Sequence, residues 1–461
     1  MNNLKNEIKN DLENKMNVDL TFDTSSLKPN KKNNKWFVIG ISLFILVPLV
    51  ICSIPFLSMM NFSSNESITR KNFTVNEKQV MENSSFKKLN EIVYPSLENK
   101  NILVSDDFKT AINDFSNEIF QKTYKEENYS FSPISLYYLL NNISLATNKE
   151  EVNSEFDNIL RLDRNNRKEN LIRTYKNNYF CNEYGTIQMY NSVFLSNSYQ
   201  YNEEYVKSLK DYYIEAYQLS FKNDQDKILE WIDDKLNENN FMSKRELNIN
   251  DDTIVYFLNT LFFNNRWYHT FNDENNYQDV FNTLNGTENV TYMNHSYYGE
   301  VNEHDKYIDF TDYYQNGIKI KYLISKNNDN IFDLVKNINI FEKKLEVQEA
   351  CINLSLPKFS NSYFLDFTSL LKDIMPKTFS ENSLNNVFND TSAALQFVKQ
   401  KNEITFSEDG TTIKSVSFGA GSKATAPIEG YDIKLNKPFI YIIYDINDIP
   451  LFIGNMINPN K

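Results

Sequence analysis

Glu403-Ile404-Thr405-Phe406-Ser407 alternates as a strand does and runs straight into Glu408-Asp409-Gly410-Thr411-Thr412, where Asp-Gly marks a turn. From Ser415 to Pro427 small residues then dominate: Ser415, Ser417, Gly419, Ala420, Gly421, Ser422, Ala424 and Ala426. Such residues neither build a core nor grip a partner by bulk. Beyond them lie Phe439-Ile440-Tyr441-Ile442-Ile443-Tyr444 and Leu451-Phe452-Ile453-Gly454, joined by Asp445-Ile446-Asn447-Asp448. Their unbroken apolarity predicts a hairpin buried on both faces. The bland segment between strong strands is a linker or a displayed loop.

The rest of the carboxy-terminal region favours the loop. Leu435-Asn436-Lys437-Pro438-Phe439, Pro450-Leu451-Phe452-Ile453-Gly454 and Asn458-Pro459 resemble the carboxy-terminal signature of the serpin family. Asn191-Ser192-Val193-Phe194-Leu195 and Asn259-Thr260-Leu261-Phe262-Phe263, the latter followed by Trp267, are similar to two central strands of the large serpin sheet. Leu356-Pro357-Lys358-Phe359 is similar to another strand, and Phe131-Ser132-Pro133-Ile134-Ser135 to the start of the family's buried helix. The resemblance covers roughly residues 101–461. It implies an α/β (α+β) fold with a large central sheet, two smaller sheets, surrounding helices and an exposed reactive-centre loop at about residues 408–430.

The function so implied is that of a protease inhibitor and not of an enzyme. A serine or cysteine protease attacks the loop and forms an acyl-enzyme, and the severed loop enters the large sheet as a new strand. Glu408, Asp409, Gly410, Thr411, Thr412 and Ile413 would form the hinge. Counting fourteen residues beyond Gly410 places the reactive bond between Ala424 and Thr425, with Lys423 as the alternative. Alanine there suits an elastase-like protease and lysine a trypsin-like one. At about 3.3 Å per residue, insertion from Gly410 to Ala424 carries the protease ~50 Å, far enough to distort a site that depends on positioned groups.

Alternation supplies its own filter. Thr411, Ile413, Ser415, Ser417, Gly419 and Gly421 share one face of such a strand, and Thr412, Lys414, Val416, Phe418, Ala420 and Ser422 the other. The first set is small apart from Ile413 and suits a buried face. Two departures from the family stand out: Ile413-Lys414-Ser415-Val416 replaces an alanine-rich run, and Gln400 stands where many serpins place a histidine. A non-inhibitory protein that keeps the fold for ligand binding, adhesion or chaperoning is the competing reading.

With 41% hydrophobic and 14% aromatic residues, the 461-residue chain has ample apolar surface for one large domain. A formal charge of −13 disfavours nucleic acid as a partner, because phosphate binding needs a cationic face. No dense Lys/Arg run suggests a glycan cofactor, and none is expected. His269, His295 and His304 lack metal-ligand spacing, so no metal site is expected. Nucleophile-elbow, P-loop and dinucleotide motifs are absent. Cys181 and Cys351 lie in apolar, strand-like surroundings that suit buried free thiols. A monomer is expected.

At the other end, Trp36 to Met60 is an uncharged run of 25 residues, long enough to cross a bilayer. Lys28, Lys31, Lys32 and Lys35 crowd its amino-terminal side, which keeps residues 1–35 cytoplasmic and sets the domain on the extracellular or lumenal side. The rival is a cleaved signal peptide and a secreted protein. Residues 61–100 read as a polar stalk, with room for a few helical turns around Phe86 to Val93. Ser105-Asp106-Asp107 then caps a helix with the stripe Phe108, Ile112, Phe115 and Ile119, at the start of a domain spanning 101–461.

Overall fold

The computed structural model describes residues 85–461 except 251, 328, 342–347 and 414–429. The described chain opens with β1 (Lys87–Lys88) and α1 (Asp106–Thr123). The Ser105 hydroxyl accepts from the Phe108 amide, and Asp106 and Asp107 sit in the first turn, where acids favour the helix dipole. The predicted stripe is buried. After β2 (Tyr129–Phe131), Ser132 and Pro133 start α2 (Pro133–Ser144), which is buried nearly all round, the lot of a helix without a polar face.

There follow α3 (Glu150–Ile159), α4 (Arg164–Asn177), β3 (Phe180–Asn182), β4 (Gly185–Ser196), α5 (Glu203–Ser208), β5 (Ile214–Leu219), α6 (Gln225–Leu236) and α7 (Lys244–Leu247). Next come β6 (Val255–Arg266), β7 (Tyr277–Thr283), β8 (Gly286–Glu303), β9 (Tyr307–Tyr313), β10 (Lys319–Ser325) and α8 (Ile331–Val335). The chain ends with β11 (Gln348–Pro357), β12 (Phe359–Asp366), α9 (Thr368–Ile374), β13 (Lys399–Phe406), β14 (Gly410–Ile413), β15 (Tyr431–Lys434), β16 (Phe439–Tyr444) and β17 (Pro450–Met456).

The first sheet has the order β1-β5-β4-β6-β14-β13-β12, with β3 on β4. The second runs β15-β11-β8-β9-β10-β16-β17-β2, with β7 on β8. Long β8 pairs with β7, β9 and β11, so the two smaller sheets expected are continuous through it. The predicted hairpin is β16 and β17, paired Ile442 to Ile453 and buried at every position.

Three local expectations change. Leu356-Pro357-Lys358-Phe359 is not one strand: Pro357 ends β11 in the second sheet, Phe359 begins β12 in the first, and Lys358 stands at the crossing. Around Phe86 to Val93 the chain adds an edge strand instead of a helical turn, because sheet edge β5 offers it unpaired backbone. There Asn90 Nδ2 donates to the Ile214 carbonyl (3.0 Å) and Asn90 Oδ1 accepts from the Ala216 amide (2.8 Å). Cys351 is buried, but Cys181 is exposed, since β3 pairs with β4 alone.

Helix α6 lies against the first sheet. Ile228, Trp231, Ile232 and Leu236 form with Phe194, Tyr217 and Tyr256 a core cluster of their own. Among the described residues no helix is long and apolar enough to cross a membrane. The Trp36–Met60 run lies outside those residues.

Candidate functional site

β13 turns at residues 407–409 and returns as β14. The Ser407 amide donates to the Gly410 carbonyl (3.0 Å), the Trp267 amide to that of Asp409 (3.1 Å) and the Phe271 amide to that of Glu408 (3.2 Å). The Trp267 indole donates to the Ser407 carbonyl at 2.8 Å. A Cβ on Gly410 would lie 2.1 Å from the Asn265 carbonyl oxygen, so glycine is required by the close approach of β6. Beyond it, Thr411, Thr412 and Ile413 pair with Asn265, Asn264 and Phe263, while Thr411 and Thr412 also pair with Phe406 and Thr405. The segment expected to open a displayed loop is thus already a strand of the sheet in the uncut chain. Ladder bonds on two sides outweigh the entropy of ordering four residues.

Two side chains fasten the turn. Glu408 binds Lys358 Nζ at 2.8 Å and accepts from Asn276 Nδ2. Partial burial pushes its carboxyl up, but these partners outweigh burial and hold it below the usual carboxylate range. Thr411 is wholly buried; its Oγ1 meets the Tyr314 hydroxyl at 2.6 Å, and Tyr314 stacks on Trp267 at 4.4 Å between ring centres. The Thr411 face of β14 therefore points into the core.

Below Ile413 the sheet is open. Residues 255–262 of β6 and 399–404 of β13 face one another without ladder pairs among the described residues. Between them lies a cleft of about 300 Å³, with Ser135, Leu139 and Ile143 of α2 beneath it. Its floor is polar. Gln400 Oε1 accepts from the Ser132 amide (2.8 Å) and from Asn402 Nδ2 (2.9 Å), while Gln400 Nε2 donates to the Ser132 carbonyl (3.1 Å). On the other wall, Asn191 Oδ1 accepts from Asn142 Nδ2 (3.1 Å) and Asn259 Nδ2 (2.8 Å). Gln400 thus serves, through its two-ended amide, as a clamp on the start of α2.

The outer side of the cleft is latched. Lys401 on β13 meets Glu246 on α7 at 2.9 Å, and Glu246 also closes a capping box with Ser243. Desolvation raises the Glu246 carboxyl, yet Lys401 and Ser243 dominate and hold it at about 2.

Of the residues singled out from sequence, Glu408 to Ile413 converge on this turn and strand, whereas Lys423, Ala424 and Thr425 lie outside the described residues. Sequence reasoning missed Asn276, Tyr314 and the counter-ion role of Lys358. The one signal for the last was a lysine set in an otherwise apolar motif.

Known proteins share this plan. The profile of the family described as Serpin (serine protease inhibitor) matches residues 110–459. An uncharacterized serpin-like protein of Methanosarcina acetivorans is 24% identical over 377 residues, covering 77% of this chain and 86% of that protein. Alpha-1-antiproteinase 2 of Equus caballus is 24% identical over 282 residues, 59% of this chain and 66% of its own length. Among solved structures, the thermophilic serpin tengpin in its native state superposes with a TM-score of 0.67 at 21% identity, covering 81% of this chain and all of that one. A thyroxine-binding globulin complexed with thyroxine gives 0.66 at 17% identity, over 76% and 99%. The chain belongs to the serpin family, and it is not an enzyme.

Proposed function

We propose that this serpin inhibits a serine protease by offering the loop at about residues 408–430 as bait and drawing its severed end into the slot between β6 and β13. The observation that carries the reading is β14, a strand seated at the mouth of an open slot with the Thr411 face turned to the core. Glu408 to Ile413 act as the hinge, and the bond between Ala424 and Thr425, or alternatively the one after Lys423, is the one attacked. Each residue from Lys414 onward that follows β14 gains ladder hydrogen bonds, at a net ~1 kcal/mol apiece. The test mixes the full-length protein in detergent with elastase-like, trypsin-like and cysteine proteases. A covalent complex that survives boiling in SDS and a higher Tm of the cut protein are expected; cutting that yields neither overturns the proposal.

A second reading, a ligand carrier, has one observation in its favour. A cavity of about 1210 Å³ lies between α1, the face of β8 to β10 and the residues after α8, with Lys321, Asp309 and Tyr444 in its walls. Burial holds the Lys321 ammonium below the usual lysine range. Saturable binding of a small aromatic acid, together with cutting that never traps a protease, would select this reading.

The Trp36–Met60 run is read as a single-pass anchor that holds the serpin domain at an extracellular or lumenal surface. Retention in membranes after carbonate washing is expected, whereas release of a shortened soluble protein selects the secreted alternative.

A further inference from the structure

One carboxylate lies buried under α6. Glu215 of β5 is 2% exposed, and donors from three separate segments close on it. The Trp231 indole (2.8 Å) and Lys235 Nζ (3.6 Å) come from α6, the Tyr217 hydroxyl (3.0 Å) from its own strand, and Lys88 Nζ (3.4 Å) from β1. A carboxylate in such a place is stable only while its partners stay, because removing one leaves charge that water no longer solvates. Helix and edge strand thus share one acid.

Two further contacts tie the same pair. Phe86 stacks on Tyr217 at 5.0 Å, Tyr217 on Phe194 at 5.3 Å, and Phe194 meets the Trp231 ring edge to face at 6.0 Å, so an aromatic row runs from the residue before β1 to the middle of α6. The Ser85 hydroxyl donates to the carboxylate of Asp224, the residue before α6. β1 itself is held at the sheet edge by a two-residue ladder, Lys87 to Gln218 and Lys88 to Tyr217, with Leu89 and Asn90 bonded to β5 beyond it. So short an edge segment opens before the strands inside the sheet do. Ile232 and Leu236 of α6 line the cleft between β6 and β13.

We propose that residues 85–90 form a releasable clasp that keeps α6 seated over the cleft, with Glu215 as the joint between them. Releasing the clasp takes one of two ammonium groups from the acid and one end from the aromatic row, so α6 loses hold at its start and its middle together. The coupling is reciprocal: whatever lifts α6 also weakens the grip of β5 on the clasp. It belongs to the uncut protein and does not depend on whether a severed loop enters the sheet.

The test follows hydrogen exchange by mass in the full-length protein in detergent, comparing peptides from α6 (225–236) and α1 (106–123). Lys88→Met keeps the reach of the side chain and removes its charge. Exchange in α6 should quicken about tenfold, less than a fully buried pair would give because Lys88 is 25% exposed, while α1 keeps the wild-type rate. Phe86→Ala, which leaves the acid and its lysines untouched, should quicken α6 alone as well. In Glu215→Gln, which still offers the indole an acceptor but needs no counter-ion, adding Lys88→Met should bring no further change. Wild-type exchange in α6 of either Lys88→Met or Phe86→Ala overturns the clasp, as does equal quickening in α1, the mark of a general loss of stability. A tenfold effect of Lys88→Met that persists beside Glu215→Gln overturns Glu215 as the joint.

Discussion

Thr411 shows how much rests on one small side chain. It is wholly buried against Tyr314, and the two residues on either side of it in the sheet, Asn265 and Phe406, are buried as well. A guanidinium in that wholly buried space would cost several kcal/mol, because it must give up its hydration and displace the Tyr314 contact. Thr411→Arg should therefore expel β14 and block the strand that follows it. The expected outcome is a protein still cut in its loop but no longer able to hold a protease in an SDS-resistant complex. Undiminished capture by Thr411→Arg would mean that β14 does not lead the insertion.

Asp445 makes a similar point about charge. It is buried in the turn joining β16 to β17, where its Oδ1 accepts from the amides of Asn447 and Ile449 and its Oδ2 from Asn178 Nδ2. Desolvation outweighs those three donors and raises the carboxyl to about 6. An acid so raised favours the folded state below its unfolded value near 3.8, and that contribution is lost as pH climbs through about 6. Asp445→Asn should flatten this slope: the Tm difference between pH 4 and pH 7 should shrink relative to wild type, and an unchanged difference would remove Asp445 as its source.

At the scale of elements, the slot is a contest between strands that want a partner and helices that cover them. α7 is held to β13 by the Lys401–Glu246 pair, and α6 packs its own apolar cluster on the same sheet. On the insertion proposed above, an incoming strand must displace this cover. The pair is partly exposed, so its net worth is at most about 1 kcal/mol, a factor of up to about five in rate. Glu246→Gln should accordingly raise the rate at which warmed, uncut protein loses inhibitory activity, by up to that factor, followed by residual capture against time at fixed temperature. A rate equal to wild type would show that α7 does not limit the opening.

At the scale of the whole molecule, the segment from residue 85 to Ser105 binds the sheet edge to the first helix. Lys88 reaches Glu215 at 3.4 Å, a carboxylate 2% exposed that also accepts from the Trp231 indole, and Phe86 stacks on Tyr217. Removing residues 1–99 bares the β5 edge and strips one of two lysines from a buried acid. A lower Tm and concentration-dependent association, read by light scattering, are expected; the full Tm in a monomeric truncated protein would show the strap to be dispensable.

Sequence alone determined the features that are local or periodic. The Ser105 cap and the Phe108 to Ile119 stripe dictate α1, and the apolar runs after Lys437 dictate β16 and β17. Each depends on neighbours within a few residues along the chain. What only the tertiary structure decided was that β14 is already in the sheet, that Gly410 is pressed against Asn265, and that Lys358 answers Glu408. Those facts join residues 50 to 150 positions apart, whose meeting is set by sheet order and register. No pattern within either segment records which distant strand it will lie beside.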